Sequence, residues 1–145
     1  MAKYEHIKGV DEMIMNITRT RSKMIGKVAD VVEMTAIDVA NHAKEGHAGN
    51  MAHASKRYQN QTTNLTNNIK PEMVDVSFKQ VVARVVSNMD YSQFVEFGLG
   101  NSGGLVSFEE GHSGPTTPYP FMQPALLGNR ANFNSRLKKL NMKGF

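Results

Sequence analysis

A long run of apolar residues at helical spacing constrains this chain more than any other feature of its sequence. Between residues 10 and 44 such residues recur at steps of three and four. This spacing is typical of an amphipathic helix with one apolar face. We therefore predict an N-terminal helix over about residues 10–45, on the order of 50 Å long at 1.5 Å per residue. The residues that define its face are Val10, Met13, Ile14, Ile17, Met24, Ile25, Val28, Val31, Val32, Thr35 and Val39.

A helix of that length exceeds what one small sheet can cover, which leaves two alternatives. Either the polar run from Thr18 to Ser22 breaks the helix, or one end projects to meet another subunit. Gly46 and Gly49 are expected to end it, because glycine disfavours helix. Residues 46–64 are then predicted to form a linker with room for one more helical turn.

Two stretches predict an antiparallel β-hairpin. The first, over residues 69–78, has alternating apolar side chains, and Pro71 places its start at an edge or a bulge. The second, over residues 81–86, is rich in the β-branched residues that pack well on a pleated surface. The turn is expected at Lys79 and Gln80. The alternating side chains of the first strand are Val74, Val76 and Phe78.

An aromatic segment follows the predicted hairpin. Tyr91, Phe94, Val95 and Phe97 place four large apolar groups within seven positions, at a spacing that suits one face of a short helix or a tight turn. We expect a core to gather there. Gly98 should end the segment, because glycine adopts backbone angles that a side chain forbids.

A segment framed by prolines follows the aromatic segment about twenty residues later. Pro118 and Pro120 are expected to hold Phe121 in an extended approach, and Pro124 can begin a helix because its missing N–H lies in the unbonded first turn. The final helix is predicted over about residues 124–140. Its expected buried side is Leu126, Leu127, Phe133, Leu137 and Leu140, and Gly128 is expected to interrupt it.

A glycine-rich stretch separates these two segments. Residues 98–117 contain six glycines and one proline. We predict that this loop is flexible in the free subunit, and that a short strand over residues 105–109 makes it a hairpin arm.

The two segments together resemble the neck or tail-completion proteins of tailed bacteriophages. The family pattern is a Tyr, then aromatic-Val-Glu-Phe-Gly, a loop of variable length, and Pro-Phe-x-x-Pro-Ala. It matches here at Tyr91, at residues 94–98 and at residues 120–125. A weaker element, a Thr-Gly-x-Leu-x-x-Ser-Ile type of entry into the first strand, corresponds to residues 63–69, with Asn64 in place of Gly and Asn68 in place of Ser. Leu99 stands where Thr or Gly often follows Phe-Gly.

The resemblance implies an α+β fold for residues 1–145 as a single domain: a long N-terminal helix packed on a small antiparallel sheet, a flexible hairpin loop and a C-terminal helix. It also implies a virion protein without chemistry. Such a subunit forms a ring of about six or twelve copies between the head connector or stopper protein and the tail terminator or tube protein, and DNA passes through it. The implied motif core is Tyr91, Phe94, Val95, Phe97, Gly98, Pro120, Phe121 and Pro124.

Contacts with neighbouring subunits are expected from the arm and from the last helix. The predicted contact residues are Leu99, Leu105, Val106, Phe108, Glu109, Glu110, Arg130, Arg136, Lys138 and Lys139. Two other functions stay open at this point. One is a tail terminator that caps the tail tube, and the other is a nucleic-acid-binding domain that uses the basic C-terminal helix.

Length and composition limit the number of domains and the classes of function that this chain can have. At 145 residues the chain has the size of one domain. Its lack of cysteine excludes disulfides and thiolate catalysis. No apolar run approaches the roughly 18 residues of a membrane span, and the N-terminus lacks the apolar core of a signal peptide. We expect assembly in the host cytoplasm, incorporation into the virion and no contact with membrane.

Charge is distributed unevenly along the chain. Residues 61–112 carry three basic and six acidic groups, whereas residues 113–145 carry five basic groups and no acidic one. In a ring built head to tail, the acidic side of one subunit can meet the basic side of the next. An ordinary solvated surface with a basic last helix would give the same counts, since Lys and Arg sit well at helix C-termini.

The candidate chemistry is weak. Gly98, Gly100 and Gly103 match the dinucleotide pattern, but no strand-to-helix context surrounds them. His42, His47 and His53 lack metal-ligand spacing and are expected to be surface residues of the linker. His112 and Ser113 lack a nucleophile elbow and a paired acid. Glu96 could be a catalytic acid, but a salt bridge or a cap that holds the segment in place is the favoured interpretation, because such carboxylates are often structural. We predict no enzyme activity, no cofactor and no metal.

Overall fold

The chain has an α+β fold in which a long helix packs against both strands, a short second helix and the last helix. The computed structural model describes residues 5–53, 62–98 and 118–141. The predicted arm beyond Gly98, with the contact residues assigned to it between Leu99 and Glu110, lies outside them. In order, the elements are α1 (Glu5–His53), α2 (Thr62–Asn67), β1 (Ile69–Val76), β2 (Val81–Ser87), α3 (Ser92–Phe97) and α4 (Met122–Asn141). The predicted fold class is confirmed.

Helix α1 is continuous over 49 residues, about 73 Å at 1.5 Å per residue. The run from Thr18 to Ser22 does not break it, because these side chains are exposed and a helix in water tolerates polar residues there. The predicted end at Gly46 or Gly49 is wrong. A glycine inside a helix costs only about 1 kcal/mol, and buried Ala43 and His47 pack the segment around Gly46.

The sheet is a two-stranded antiparallel hairpin that packs on α1. Pro71 pairs with Val85, both strands are edges among the residues that the structure describes, and a bulge lies between Met73 and Asp75. Strand β1 ends at Val76, earlier than expected, because the Ser77 N–H donates to the Gln80 carbonyl and closes the turn. The three alternating apolar side chains at positions 74, 76 and 78 are more than half exposed.

The core lies where the C-terminal half of α1 meets the other elements. Its buried members are Val39, Ala40, Ala43, Leu65, Ile69, Val95, Phe121 and Ala125. Between residues 9 and 24, by contrast, every residue of α1 is exposed. Of the two alternatives for the long helix, the projecting end is therefore correct. That this end meets another subunit stays a prediction.

Helix α4 begins at Met122 and continues through Gly128 without interruption. A Cβ at Gly128 would lie 2.8 Å from His42 Cε1, so this glycine allows α4 to approach α1 closely. The predicted burial of Leu126 and Leu127 is wrong, since both are mostly exposed. Ala125 and Asn129, one turn apart, face the interior instead, while Phe133, Leu137 and Leu140 are half-buried.

Candidate functional site

The aromatic and proline-framed segments are joined in the structure by one side chain, Glu96. Its Oε2 accepts hydrogen bonds from the backbone N–H of Phe121 at 2.7 Å and of Met122 at 3.0 Å. Its Oε1 accepts a third from the N–H of Gln123 at 2.9 Å. Three consecutive donors of one segment thus bind a carboxylate from the other, and we call this arrangement the Glu96 clasp.

The clasp caps helix α4. N–H groups in the first turn of a helix have no partner within the helix, and Pro124 has no N–H at all. The first turn of α4 contains no acidic residue of its own. Glu96 therefore supplies, from another element, the negative charge that the positive end of the helix dipole favours. Of the two roles expected for Glu96, a salt bridge or a cap, the structure shows the cap.

A backbone bond reinforces the junction. The N–H of Tyr119 donates to the carbonyl of Val95 at 2.8 Å, and Val95 itself is buried. Gly98 follows with a φ of 75°, in the left-handed region that favours glycine. The expected role of Gly98 in ending the segment is confirmed.

Phe121 anchors the clasp to α1 and α2. Its side chain is 2% exposed, and its ring meets His47 edge to face, with the centroids 5.1 Å apart. The Nδ1 of His47 lies 2.9 Å from Thr66 Oγ1 on α2. Burial lowers the pKa of His47. Phe121 is therefore the side chain through which the motif reaches the core.

His47 is a residue that sequence reasoning misplaced. It was predicted on the surface of a linker, yet it is 1% exposed. Because α1 continues past Gly46, His47 stays on the helical face that already contains Val39 and Ala43, at steps of four residues. That spacing was the signal that could have found it. Asn129, whose amide donates to the carbonyl of Ala125 at 2.8 Å and lies 3.3 Å from His42 Nδ1, carried no comparable signal.

The other predicted core residues divide into two groups. Tyr91 is half-buried against the core, and burial raises its pKa. Phe97 is 58% exposed, so its predicted place in the core is wrong. Helix α3 has only six residues, and Val95 and Glu96 occupy its buried side. Pro120 and Pro124 are exposed, and the side chain of Phe94 lies outside the described residues.

An open apolar groove of about 850 Å³ lies beside the clasp, between α1, β2, α3 and α4. Its apolar lining includes Val39, Val85, Phe97, Leu127 and Phe133. Its charged lining residues are Arg84, Arg130 and Glu96. The Glu96 carboxylate is engaged by three N–H groups, and Arg84 is ion-paired with Glu72 at 2.9 Å. The groove therefore presents mostly apolar surface, with exposed Arg130 on its wall.

The basic residues predicted to touch neighbours differ in their surroundings. Arg136 forms an ion pair with Asp38 at 2.6 Å and donates to Thr35 Oγ1 at 3.2 Å, so it ties α4 to α1 of its own chain. Lys138 and Lys139 are exposed in the last turn of α4, where they complement the helix dipole. Arg130 is exposed and borders the groove.

The remaining candidate sites gain no support. Within residues 5–53, 62–98 and 118–141, no group of three His, Asp or Glu side chains could hold a metal ion. Gly100, Gly103, His112 and Ser113 lie outside those ranges. In the same part of the chain, no helix combines the length and the apolar character that a membrane crossing needs.

Comparison of the chain with protein-family models, with curated proteins and with solved structures gives no match. A functional proposal therefore rests on the motif residues and on the geometry that joins them.

Proposed function

We propose that this chain is a structural subunit of a tailed-phage particle, a neck or tail-completion protein that forms a homo-oligomeric ring between the head connector and the tail. The observation that carries the proposal is the Glu96 clasp. The Glu of the aromatic-Val-Glu-Phe-Gly run binds the first N–H groups of the Pro-Phe-x-x-Pro run. The two motifs are thus parts of one structural unit, which explains why both residue patterns occur together.

Uncovered apolar surface supports assembly. The free end of α1 exposes Val10, Met13, Ile14 and Ile17, each by more than half, and the groove beside the clasp is open. Large contiguous apolar patches are rare on the surfaces of monomeric proteins, and where they occur they commonly mark interaction sites. A ring would bury both surfaces, and the acidic middle and basic end of the chain would favour one orientation of neighbours.

In this proposal the protein performs no chemistry. The acid of the motif, Glu96, is 7% exposed and already accepts three hydrogen bonds. The subunit functions by binding. It binds copies of itself, a connector or stopper protein on the head side, and a terminator or tube protein on the tail side. DNA passes through the channel without being read.

Deletion of the gene from the phage that encodes it tests the proposal. We expect filled heads and separate tails of normal length to accumulate, and purified wild-type particles to contain the protein in about six or twelve copies. Tails of uncontrolled length would identify a tail terminator instead. Normal particles that lack the protein would contradict a virion role. A DNA affinity of the free protein that falls steeply with salt would favour the nucleic-acid-binding alternative.

A further inference from the structure

The exposed stripe at the free end of α1 continues the face that packs the core farther along the same helix. Val10, Met13, Ile14 and Ile17 recur at three- and four-residue steps, and the same periodicity leads on to the buried residues Val31 and Val39. We call residues 9–17 of this face the N-terminal stripe. It has the character of a helix surface that packs against protein, but in the described part of the chain nothing covers it.

The hairpin marks where the body of the subunit ends along α1. The guanidinium of Arg21 lies 4.6 Å from the centroid of the Phe78 ring, and its Nη2 donates to the Phe78 carbonyl at 3.4 Å. The stripe begins beyond this contact. It therefore extends past the tip of the sheet rather than along it.

The groove cannot accept the stripe of its own chain. Val32, Thr35 and Val39 of α1 form one wall of the groove, and a continuous helix holds Ile14 about 30 Å from Thr35 at 1.5 Å per residue. The stripe and this wall of the groove therefore keep a fixed separation along one continuous helix. A contact between them therefore has to join two copies.

Shape and charge suit such a contact. Amphipathic helices commonly bind by placing an apolar face with i, i+3, i+4 and i+7 anchors in an apolar groove, which is the spacing from Val10 to Ile17. Residues 9–17 contain no basic residue, and Asp11, about 100° around the helix from Val10, flanks the stripe, whereas Glu12 lies on the opposite face. The groove offers Arg130, which is exposed, whereas Arg84 is already paired with Glu72 at 2.9 Å. Glu96, the acidic residue among the described lining, is held in the clasp.

We infer that the N-terminal stripe of one copy docks in the groove beside the Glu96 clasp of a second copy. The two surfaces differ, so the contact is heterologous, and repetition of a heterologous contact closes into a ring when its rotation permits. Pairing of two stripes would instead be self-complementary and would stop at a dimer. The inference rests on the homo-oligomer of the proposed function, and it names the two surfaces that build it.

Cysteine cross-linking of the full chain tests the contact, since the chain contains no cysteine of its own. Ile14→Cys places a thiol in the stripe and Leu127→Cys places one in the groove. After the two variants are mixed and oxidised, we expect a disulfide-linked pair on a non-reducing gel, and little product from either variant alone. Met15→Cys is the matched control: Met15 is 58% exposed and Ile14 is 55% exposed, but Met15 lies about 100° around the helix from Ile14.

Three outcomes overturn the inference. Cross-linking of Ile14→Cys with itself would show stripe-to-stripe pairing. Equal cross-linking of Met15→Cys and Ile14→Cys with Leu127→Cys would show random collision. No product in any mixture would show that another segment, such as residues 99–117 of the same chain, covers the groove or that the copies meet elsewhere.

Sedimentation of charge variants gives an independent measurement. Ile14→Asp should shift the oligomer to the monomer, whereas Met15→Asp should leave its sedimentation coefficient unchanged. Both positions lie in the exposed end of α1, so neither variant should prevent folding, and circular dichroism would verify this. Rings that persist with Ile14→Asp overturn the inference and leave the proposed function standing. Cross-linking between Ile14→Cys and Leu127→Cys in a protein that is absent from phage particles would support the inferred contact and contradict the proposed function.

Discussion

The Oε2 atom of Glu96 lies 2.7 Å from the backbone nitrogen of Phe121, and this contact joins two segments that are 25 residues apart in the chain. The same carboxylate holds the next two N–H groups. Phe121 in turn packs its ring on His47 of α1. One acidic side chain therefore fixes both the start of α4 and the position of the aromatic anchor.

Glu96→Gln should destabilise the protein by about 2–3 kcal/mol, since it removes charge-assisted bonds and a helix cap. The amide keeps one acceptor oxygen but directs an NH₂ group at a backbone donor. Urea denaturation gives the free energy of unfolding. Asp90→Asn is the matched control, because Asp90 is an exposed acid of the same region, and its loss should stay below about 0.5 kcal/mol. Equal losses in the two variants would contradict the clasp.

Truncation of two phenylalanines should give very different losses of stability. Phe121→Ala should cost about 3–5 kcal/mol, because it opens a cavity in the core. Phe97→Ala should cost less than about 1 kcal/mol, since its side chain is mostly exposed. Thermal melts of both variants provide the measurement. A loss for Phe97→Ala as large as that for Phe121→Ala would restore Phe97 to the core.

The stability of the protein should fall in mild acid because of His47. Burial lowers its pKa in the folded state below the ordinary value of 6.5, so the unfolded chain binds the proton more readily. The contribution of His47 to stability is therefore complete above pH 6.5 and is lost as the pH falls from there towards the lower folded pKa.

Urea denaturation between about pH 5 and pH 7.5 measures this effect. His47→Gln is the control, since glutamine can keep a hydrogen bond to Thr66 but does not titrate. The difference in unfolding free energy between the two proteins should shrink as the pH falls. A difference that is constant over this range would show that His47 does not couple to folding.

Gly128→Ala should reveal the close approach of α4 to α1. Alanine favours a helix over glycine by about 1 kcal/mol, but its Cβ would meet the ring of His42 at 2.8 Å. We expect Gly128→Ala to be nearly neutral in the wild-type background and to stabilise by about 1 kcal/mol when combined with His42→Ala. A double-mutant cycle of unfolding free energies measures this coupling. Strict additivity would show that the two residues do not compete for space.

Local patterns predicted the elements well and their surroundings poorly. The spacing from Val10 to Val39 predicted α1, and the alternation around Val76 predicted β1. Gly46 failed as a helix end because packing of Ala43 and His47 outweighs the cost of a glycine. Leu126 and Leu127 failed as core residues because Gly128 and Asn129 set which side of α4 faces α1.

The Glu96 clasp could be predicted only in part from the sequence. A structural role for Glu96, as a salt bridge or a cap, was predicted from the sequence on general grounds. Its partners could not be predicted, because they lie 25 to 27 residues away and no local pattern identifies partners at that distance. Phe97 was assigned to the core with its neighbours because apolar character alone does not tell which side of a six-residue helix is buried.

Reconstruction of the neck of the phage particle by cryo-electron microscopy tests the proposed function most directly. We predict a ring of about six or twelve copies at the junction of head and tail, in which the 49-residue helix α1 of each subunit is recognisable. The absence of this chain from the junction, in particles that are otherwise complete, would contradict the assignment.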